Sequence, residues 1–480
     1  MEIAHLHRVA RGLVLAIALA FSVAPRPLLA QDAGLDTNLD SLFGDEVVES
    51  PGTEARPSIV DPVQAALKSN SVRVGGSISG SVGPSFVWND LWSGTSNILD
   101  PETRTLDASL RSTLYVDGRP NEDFRVHASV KTSWPFGQTV KNGTGGSPSS
   151  FFVPDVSVFE LFADFNWKDR LFFRFGKSTV KWGVGYFWSP ADVVNLQAID
   201  IFDPEAQREG PLNFRVHLPL LGSQNNFYLY AIVDEDDPDF ATSALAGRME
   251  LLLGGWELGL GGYWRPDTAE RAMITLTGSL GDIDVFGEAM VSRGSSKTFV
   301  QSIGTSPPYA IDISEKAEHR SSFYASASAG ALYSSPKDNF TTIAQYYYNG
   351  EGYARADRDA LISDAKLAIA SASMSSPASV PSIYTALANL AYGSGRHYAA
   401  ISITKGEVLN EDLSLSLLAI ANLSDGSGLV RPSLGWKPMD YLSLSLSPTF
   451  VFGSDDAEYT FLAGGPKVNF SLSVTVSGAF

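Results

Sequence analysis

The stretch that decides the fold is the last one, KVNFSLSVTVSGAF, from Lys467 to Phe480. Side chains on a β-strand alternate between two faces, so this stretch has a polar face of Asn, Ser and Thr and an apolar face of Phe470, Leu472, Val474 and Val476. Alternation alone fits a soluble sandwich as well as a barrel. If the apolar face points outward from a polar interior, the surrounding solvent must be lipid.

The same alternation recurs along most of the chain. Of the 480 residues, 44% are hydrophobic and 11% are aromatic, yet after residue 30 no apolar run approaches the length of a membrane helix. From Val72 onward, alternating segments are separated by turn residues. The pattern predicts an all-β, antiparallel, up-and-down transmembrane barrel of about 18 strands. The alternative is 16 strands, if 212–220 and 225–234 form a hairpin outside the wall.

The N-terminal part differs from the rest. Residues 1–30 combine Arg8 and Arg11 with an apolar stretch and end at Ala30, a pattern typical of a cleavable signal peptide. A single anchoring helix is the alternative, but the apolar stretch is too short to span a bilayer. Residues 31–71 are acidic and rich in Pro, Gly and Ser, which indicates a flexible periplasmic extension. The predicted barrel occupies residues 72–480.

The lengths of the connections support a membrane barrel. Connections after even-numbered segments are short, for example DGRPNE at 117–122 and KPMD at 437–440. Every long connection, including the insertions 183–211 and 350–393, follows an odd-numbered segment. Short periplasmic turns and long extracellular loops are typical of bacterial outer-membrane barrels. We expect a helix at 355–374 in the second insertion, followed by a short helix near 382–391.

With its signal sequence, alternating strands and terminal aromatic residue, the chain resembles the Gram-negative outer-membrane β-barrel class. That resemblance implies residence in the outer membrane, contact with its lipid, and an assembly signal read by the barrel-assembly machinery, made of Phe480, Val476, Val474 and Leu472. GKSTVKWGVGYFWSPADVVN at 176–195 also resembles a pattern found in porin-like barrels.

Charge and residue types exclude several other functions. The formal net charge of -18 argues against binding of nucleic acid. The chain has no cysteine, and its six histidines lack metal-ligand spacing, so we expect neither a metal site nor a cofactor. The sequence contains no constellation typical of an active site, and we expect a protein that is not an enzyme.

A barrel of this size is too wide to be filled by wall side chains, which predicts a water-filled pore for small hydrophilic solutes. We expect the insertion 183–211 to fold into the lumen and narrow it. Charged residues of both signs occupy inward positions. They either create a transverse electric field across the constriction, or form ion pairs with one another that only stabilise the wall. The predicted pore-lining or constriction residues are Asp192, Asp200, Asp203, Glu205, Arg125, Lys131, Glu160, Asp164 and Arg215. The alternative function is a surface adhesin or structural barrel with an occluded lumen that acts through its long extracellular loops. A homo-oligomer is a candidate assembly.

Overall fold

A computed structural model describes residues 71–89, 100–141, 154–195, 199–234, 241–266, 268–306, 310–317, 322–372, 390, 393–461 and 465–480. These residues belong to one compact unit, Asp40–Phe480. The predicted signal peptide, nearly all of the predicted extension and most of the second predicted helix lie outside the described residues and stay predictions.

The wall is an 18-stranded antiparallel sheet, as the alternation predicts. Its strands are β1 Val72–Asn89, β2 Thr103–Asn121, β3 Phe124–Lys141, β4 Asp155–Trp167, β5 Leu171–Lys177, β6 Leu212–Pro219, β7 Asn226–Val233, β8 Ala244–Leu253, β9 Trp256–Trp264, β10 Glu270–Leu280, β11 Ile283–Arg293, β14 Phe323–Ser335, β15 Phe340–Tyr348, β16 His397–Lys405, β17 Leu413–Asn422, β18 Ser427–Met439, β19 Leu442–Phe452 and β20 Lys467–Ala479. A separate hairpin pairs β12 Thr298–Ser306 with β13 Ala310–Ala317.

The terminal strand closes the barrel. β20 pairs with β1 from Ser77 opposite Ala479 to Asn89 opposite Lys467. Beyond it, the backbone N–H of Phe480 donates to the carbonyl of Gly76 at 2.9 Å, and the reverse bond has the same length. The 16-strand alternative is wrong, because β6 pairs with β5 and β7 pairs with β8 inside the wall.

The two faces of the wall are the reverse of those in a soluble protein. On β10, Ile274 is 43% exposed on the outer face, whereas the next residue, Thr275, is 3% exposed on the inner face. Asn213 and Glu288 are likewise buried inside, at 1% and 4% exposure. An apolar outer surface and a polar interior suit a barrel surrounded by lipid, since closure satisfies every backbone group without water.

The connections differ in length at the two ends of the barrel. At the short-turn end they cover residues 122–123, 168–170, 220–225, 254–255, 281–282, 336–339, 406–412 and 440–441. At the long-loop end they cover 90–102, 142–154, 178–211, 234–243, 265–269, 294–322, 349–396, 423–426 and 453–466. As predicted, every connection of ten or more residues lies at the long-loop end, although 265–269 and 423–426 at that end are short.

Two details of the prediction need correction. The alternating pattern over 169–182 predicts a single fifth strand, but β5 ends at Lys177. The second-to-last residue of β5 is Gly176, which has a φ of +135°. A Cβ at this position would lie 2.1 Å from the carbonyl oxygen of Leu161. This conformation is accessible to glycine, and the chain leaves the wall directly after it. The second correction is the hairpin β12–β13, because the sequence pattern counts residues 295–318 only as a long connection and places no strand there.

Long-loop insertions pack together into a small body, which we call the mouth cluster. It contains the hairpin β12–β13, helix α1 at Arg355–Ala372, as the spacing of apolar residues predicts, and helix α2 at Glu458–Phe461. Its apolar contacts come from Val300, Ile303, Leu361, Ile362, Ala365, Ala368 and Leu390. None of the helices in the described part of the chain is long and apolar enough to cross a membrane.

Candidate functional site: the lumen loop and the open wall

The connection between β5 and β6, which we call the lumen loop, lies inside the barrel over its described residues 178–195 and 199–211. Its two ends are held together at the wall. Lys177 Nζ lies 2.5 Å from Glu209 Oε1, and Thr179 Oγ1 donates to the carbonyl of Arg208 at 3.0 Å. The loop thus leaves and rejoins neighbouring strands as a pinched unit.

Asp192 organises the loop from within. Its carboxylate accepts hydrogen bonds from Arg208 Nη2 at 2.5 Å, from Asn195 Nδ2 at 2.7 Å and from the backbone N–H of Trp182 at 3.3 Å. The Asp192 side chain is 2% exposed. We therefore assign it to the internal structure of the loop rather than to its water-facing edge.

The first anchor of the loop on the far wall is Glu288 of β11. Glu288 Oε2 accepts from the backbone N–H of Val184 at 2.7 Å and of Gly185 at 3.2 Å, and from Ser189 Oγ at 3.3 Å. Glu288 Oε1 accepts from the N–H of Ala191 at 3.4 Å. A Cβ at residue 185 would lie 1.9 Å from the carbonyl oxygen of Trp188, so the tight wrap requires glycine there. These contacts account for the glycine at 185 and the serine at 189 within the sequence WGVGYFWSPAD at 182–192.

The second anchor is Gln345 of β15. Its Oε1 accepts from the N–H of Tyr186 at 3.0 Å and of Phe187 at 2.7 Å, while its Nε2 donates to the carbonyl of Trp188 at 2.6 Å. The ring of Trp188 stacks on Tyr347 at 5.8 Å between centroids. The lumen loop consequently crosses from β5 to β15, a large part of the way around the barrel.

Apolar packing fills the space beneath the loop. Trp182 is 1% exposed and meets Tyr230 of β7 edge-on at 5.3 Å, and Arg248 Nη1 donates to the carbonyl of Trp182 at 2.5 Å. The cluster contains Val180, Trp182, Ala191 and Val194 from the loop and Tyr230, Ile232, Ala244, Ala246, Met273 and Met290 from the wall. One side of the interior is therefore filled by a compact core.

The edge of the loop carries acidic and aromatic side chains. Asp200, Phe202, Asp203 and Glu205 are exposed, and Asp200 Oδ1 accepts from the N–H of Phe202 at 2.9 Å. The Tyr186 hydroxyl donates to Glu205 Oε1 at 3.3 Å. Burial, and after it the charge of Glu205, raises the pKa of Tyr186 above its ordinary value, so this phenol stays protonated as a donor.

Arg431 of β18 lies beside this edge. Its Cζ lies 4.9 Å from the ring centroid of Phe202. Asp200 is close enough to Arg431 to interact with it electrostatically. Carboxylates on the loop and a guanidinium on the wall thus lie next to one another in the interior.

The inner faces of β19, β20, β1 and β2, which we call the hydroxyl wall, are lined mainly by Ser and Thr, and Asp107 of β2 accepts there from Ser85 Oγ at 3.4 Å. One transverse row contains Ser443, Thr475, Ser81 and Ser109, and a second contains Ser447, Ser471, Ser85 and Thr105. Neighbouring hydroxyls bond to each other, with Ser81 Oγ 2.8 Å from Ser109 Oγ and Ser445 Oγ 2.7 Å from Ser473 Oγ. Most of these side chains are half-buried, unlike the fully buried polar groups under the loop.

Most of the remaining predicted pore residues belong to a paired network on β2 to β5. Arg125 lies 2.5 Å from Asp117 and 3.7 Å from Asp164, which also binds Arg174 at 2.6 Å. Glu160 Oε1 accepts from the N–H of Thr179 at 3.3 Å. The other two predicted residues are placed differently, since Lys131 Nζ lies 3.2 Å from the ring centroid of Phe159 and Arg215 of β6 is buried.

The structure therefore separates the predicted residues into groups. Asp200, Asp203 and Glu205 share the loop edge, Asp192 lies within the loop, and the charges on β3 and β4 are mostly paired at the wall. Their direct contact with solutes stays a prediction. Sequence reasoning placed Glu288 among the inward charges but did not identify it as an anchor of the loop, and it did not select Gln345, Phe202 or Arg431. The sequence shows only that the two anchors, Glu288 and Gln345, occupy inward positions on strands. Many other polar wall residues share that position, so it does not identify the anchors.

At the long-loop end, Glu458 of α2 ties the mouth cluster to the wall. Its Oε2 accepts from the Tyr398 hydroxyl at 2.6 Å and from Asn422 Nδ2 at 2.8 Å, and its Oε1 accepts from the N–H of Gly393 at 2.9 Å. Burial raises the pKa of Glu458 above its usual range. Among the residues with described placement, no group of three or more His, Asp or Glu is arranged to hold a metal ion.

Comparison with known proteins gives a likeness of architecture. No protein-family model matches the chain, and no curated protein matches it. Similar solved structures include OccAB1 of Acinetobacter baumannii, with 11% identity, coverage of 85% of this chain and 97% of that chain, and a TM-score of 0.46. OccK7 (OpdD) of Pseudomonas aeruginosa has 8% identity, coverage of 85% and 99%, and a TM-score of 0.47. OpdK of the same species, solved with vanillate, has 10% identity, coverage of 85% and 99%, and a TM-score of 0.45. At these values no residue role and no solute is carried over to this chain.

Proposed function

We propose that this protein is a porin-like channel of the Gram-negative outer membrane, through which small hydrophilic solutes diffuse passively. The observation that carries the proposal is the uneven filling of the interior. The side under the lumen loop is packed around Trp182, whereas the hydroxyl wall keeps accessible polar side chains. A closed 18-stranded wall encloses more space than its own side chains fill, so water occupies the remainder.

The lumen loop supplies the constriction in this proposal. Its exposed edge carries Asp200, Asp203 and Glu205, and Arg431 stands on the wall beside it. Opposed charges across a narrow, water-filled passage produce a transverse field that orders water and favours polar solutes. The acidic edge outweighs the single guanidinium, so we expect the open pore to prefer cations weakly over anions.

The long-loop end faces outward from the cell and the short-turn end faces the periplasm in this proposal. Lipid contacts the apolar outer surface, and the terminal strand with Phe480 serves assembly. Transport of this kind needs no catalytic group.

Planar-bilayer recording of the purified, full-length protein tests the proposal. We expect stepwise current increases in potassium chloride and a reversal potential displaced toward the potassium equilibrium value in a salt gradient. Heat-modifiable migration in detergent verifies that the same sample is a folded barrel. A folded barrel that remains electrically silent would refute the channel.

Silence would instead favour the second candidate, a surface-binding or structural barrel with an occluded lumen. The specific observation behind it is the mouth cluster, in which α1, α2 and β12–β13 form a packed body at the long-loop end. A packed body at the outer mouth offers a defined surface for a ligand.

A further inference from the structure

The seam that closes the barrel, between β1 and β20, is interrupted at one place. The two strands pair on both sides of Gly83 and Pro84, but these two residues have no partner on β20. On their other side, both pair with β2 in an unbroken register. The interruption therefore belongs to the closing seam and not to an irregular stretch of β1 as a whole.

Proline and glycine together account for this gap. Gly76 and Phe480 exchange two backbone hydrogen bonds of 2.9 Å, and in an antiparallel ladder such an exchange recurs at every second pair. The flanking pairs place Pro84 opposite Leu472, where an exchange is due, but proline has no N–H to donate. At Gly83 a Cβ would lie 1.9 Å from the carbonyl oxygen of Leu472, so this close approach requires glycine. A bilayer offers no water in place of the missing donor, which leaves the gap open to a donor from another molecule.

A cavity of about 110 Å³ lies at this gap, and its lining has an apolar part and a polar part. The apolar part includes Val82 and Leu472, whose side chains are 46% and 38% exposed on the outer face of the wall. The polar part is made of inner-face groups, which are Asp107, Ser81, Ser85, Ser471 and Ser473. A volume of this size corresponds to about three or four waters. The cavity thus brings lipid-facing and lumen-facing side chains together within the thickness of the wall.

Asp107 supplies the charge in this lining. Its carboxylate accepts from Ser85 Oγ at 3.4 Å, and it forms no ion pair with any residue whose placement the structure describes. The residue opposite it on β1 is Gly83, which has no side chain to cover the carboxylate. A carboxylate beside hydroxyls suits a primary ammonium, which carries three N–H donors and one positive charge.

We propose that the gap in the closing seam is a binding site for single-chain amphiphiles with a primary ammonium head, such as long-chain alkylamines. The ammonium lies in the gap and donates to the Asp107 carboxylate and to the serine hydroxyls beside it. The alkyl chain extends over Val82 and Leu472 into the lipid, where its apolar surface is removed from water. The site rests on the lipid-embedded barrel of the proposed function but not on conduction, so the site and the channel can fail independently.

Photolabelling tests the site without requiring conduction. Dodecylamine with a diazirine on its chain is added to proteoliposomes of the full-length protein, and the labelled peptides are identified by mass spectrometry. Dodecanol, dodecanoic acid and dodecyltrimethylammonium with the same diazirine are the comparison probes. The trimethylammonium head carries the same charge as the amine but has no N–H and is wider, so it controls for general attraction of cations to an acidic protein.

We expect saturable labelling of β1 and β20 by the amine, in excess of labelling by the other three probes and reduced by unlabelled dodecylamine. Asp107→Asn should weaken the apparent affinity about tenfold, the size of one hydrogen bond to a charged group. Pro84→Val returns an N–H to the ladder and should also weaken labelling. Asp284→Asn is the matched control, because this inner-face carboxylate accepts from Ser279 Oγ on another part of the wall.

A disulfide across the seam provides a second test, since the chain has no cysteine of its own. Ser85 and Ser471 lie directly opposite each other beside the gap, at a spacing that a disulfide can bridge. Oxidised Ser85→Cys/Ser471→Cys should lose the labelling, because the disulfide replaces two hydroxyls of the cavity and clamps the strands, and reduction should restore access. Ser416→Cys/Ser433→Cys, an opposite pair on β17 and β18, is the control.

The outcomes separate this site from the channel itself, provided that heat-modifiable migration shows each variant to be a folded barrel. A silent barrel with labelling that depends on Asp107 would refute the channel and support the site. An open channel whose seam is not labelled, or is labelled equally in the wild type and in Asp107→Asn, would overturn the site and leave the channel standing. Equal labelling by dodecyltrimethylammonium would also overturn it, because positive charge alone would then account for the binding.

Discussion

Glu288→Ala should release the lumen loop from the far wall and enlarge the pore. The Glu288 carboxylate accepts hydrogen bonds from Val184, Gly185, Ser189 and Ala191 at 2.7 to 3.4 Å. Alanine removes every one of these acceptors. The backbone donors then remain at a site that is closed to water in the docked loop.

The magnitude follows from the number and kind of bonds. A hydrogen bond to a charged group contributes about 1.5 to 3 kcal/mol, and a buried donor left without a partner costs about 1 to 3 kcal/mol. These contributions are not additive, and the burial cost of the carboxylate itself is recovered, so we expect a net loss of about 3 to 5 kcal/mol. Because 1.4 kcal/mol is about a tenfold change in equilibrium, the undocked fraction of the loop should rise roughly 100- to 4,000-fold.

Single-channel recording is the assay. Glu288→Ala should show larger mean conductance and more current noise than the wild type, with Glu288→Gln intermediate because its amide retains one acceptor oxygen. Glu270→Ala is the control, since this carboxylate lies on neighbouring β10 at 3.8 Å from Arg293. If Glu288→Ala leaves conductance and noise at wild-type values while heat-modifiable migration shows a folded barrel, the anchoring role is refuted.

Three further predictions address the loop, the terminal strand and the mouth cluster. Deleting residues 197–207 should increase conductance by removing the acidic edge, and an unchanged value would mean that this edge is not the constriction. Removing Phe480 deletes the two reciprocal backbone hydrogen bonds with Gly76. The yield of membrane-inserted barrel should fall several-fold, while the channels that do form should conduct normally. A normal yield would contradict a role of Phe480 in assembly. The pKa of Glu458 is raised in the folded state, so the folded mouth cluster takes up this proton more readily than the unfolded chain. Its stability should therefore rise as pH falls through that raised pKa toward the ordinary value of an unfolded glutamate. Limited proteolysis at neutral and mildly acidic pH measures this as slower cleavage in acid, and Glu458→Gln should be much less pH-dependent; equal pH dependence in both proteins would assign the effect to another group.

Local pattern was sufficient for the wall. Strand alternation has a period of two, so Phe470, Leu472, Val474 and Val476 were assigned to one face without knowledge of any partner. Connection length then distinguished the two ends of the barrel and, with it, the direction of every strand. The closing pair of β20 with β1 followed from an even strand count in a barrel that leaves no edge.

The end of β5 shows where local pattern fails. Alternation continues past Lys177 into Trp182, but the chain leaves the wall after Gly176 because of its backbone conformation and the packing of Trp182 beneath the loop. The hairpin β12–β13 was missed for a related reason, since it is stabilised by α1 from a distant insertion.

What the sequence determined by itself is the barrel, because its signal repeats within each strand and in the turns beside it. What only the tertiary structure decided is how the interior is divided. The anchors of the lumen loop join Val184 to Glu288 and Phe187 to Gln345, and the loop edge meets Arg431 of β18 through Phe202. These contacts link residues more than a hundred positions apart, and alternation states which way a side chain points but not what lies across the lumen from it. The physical reason is that alternation gives the same pattern for every inward polar residue. Only the contacts of the lumen loop distinguish the residues that accept its hydrogen bonds from those of the hydroxyl wall, which face water.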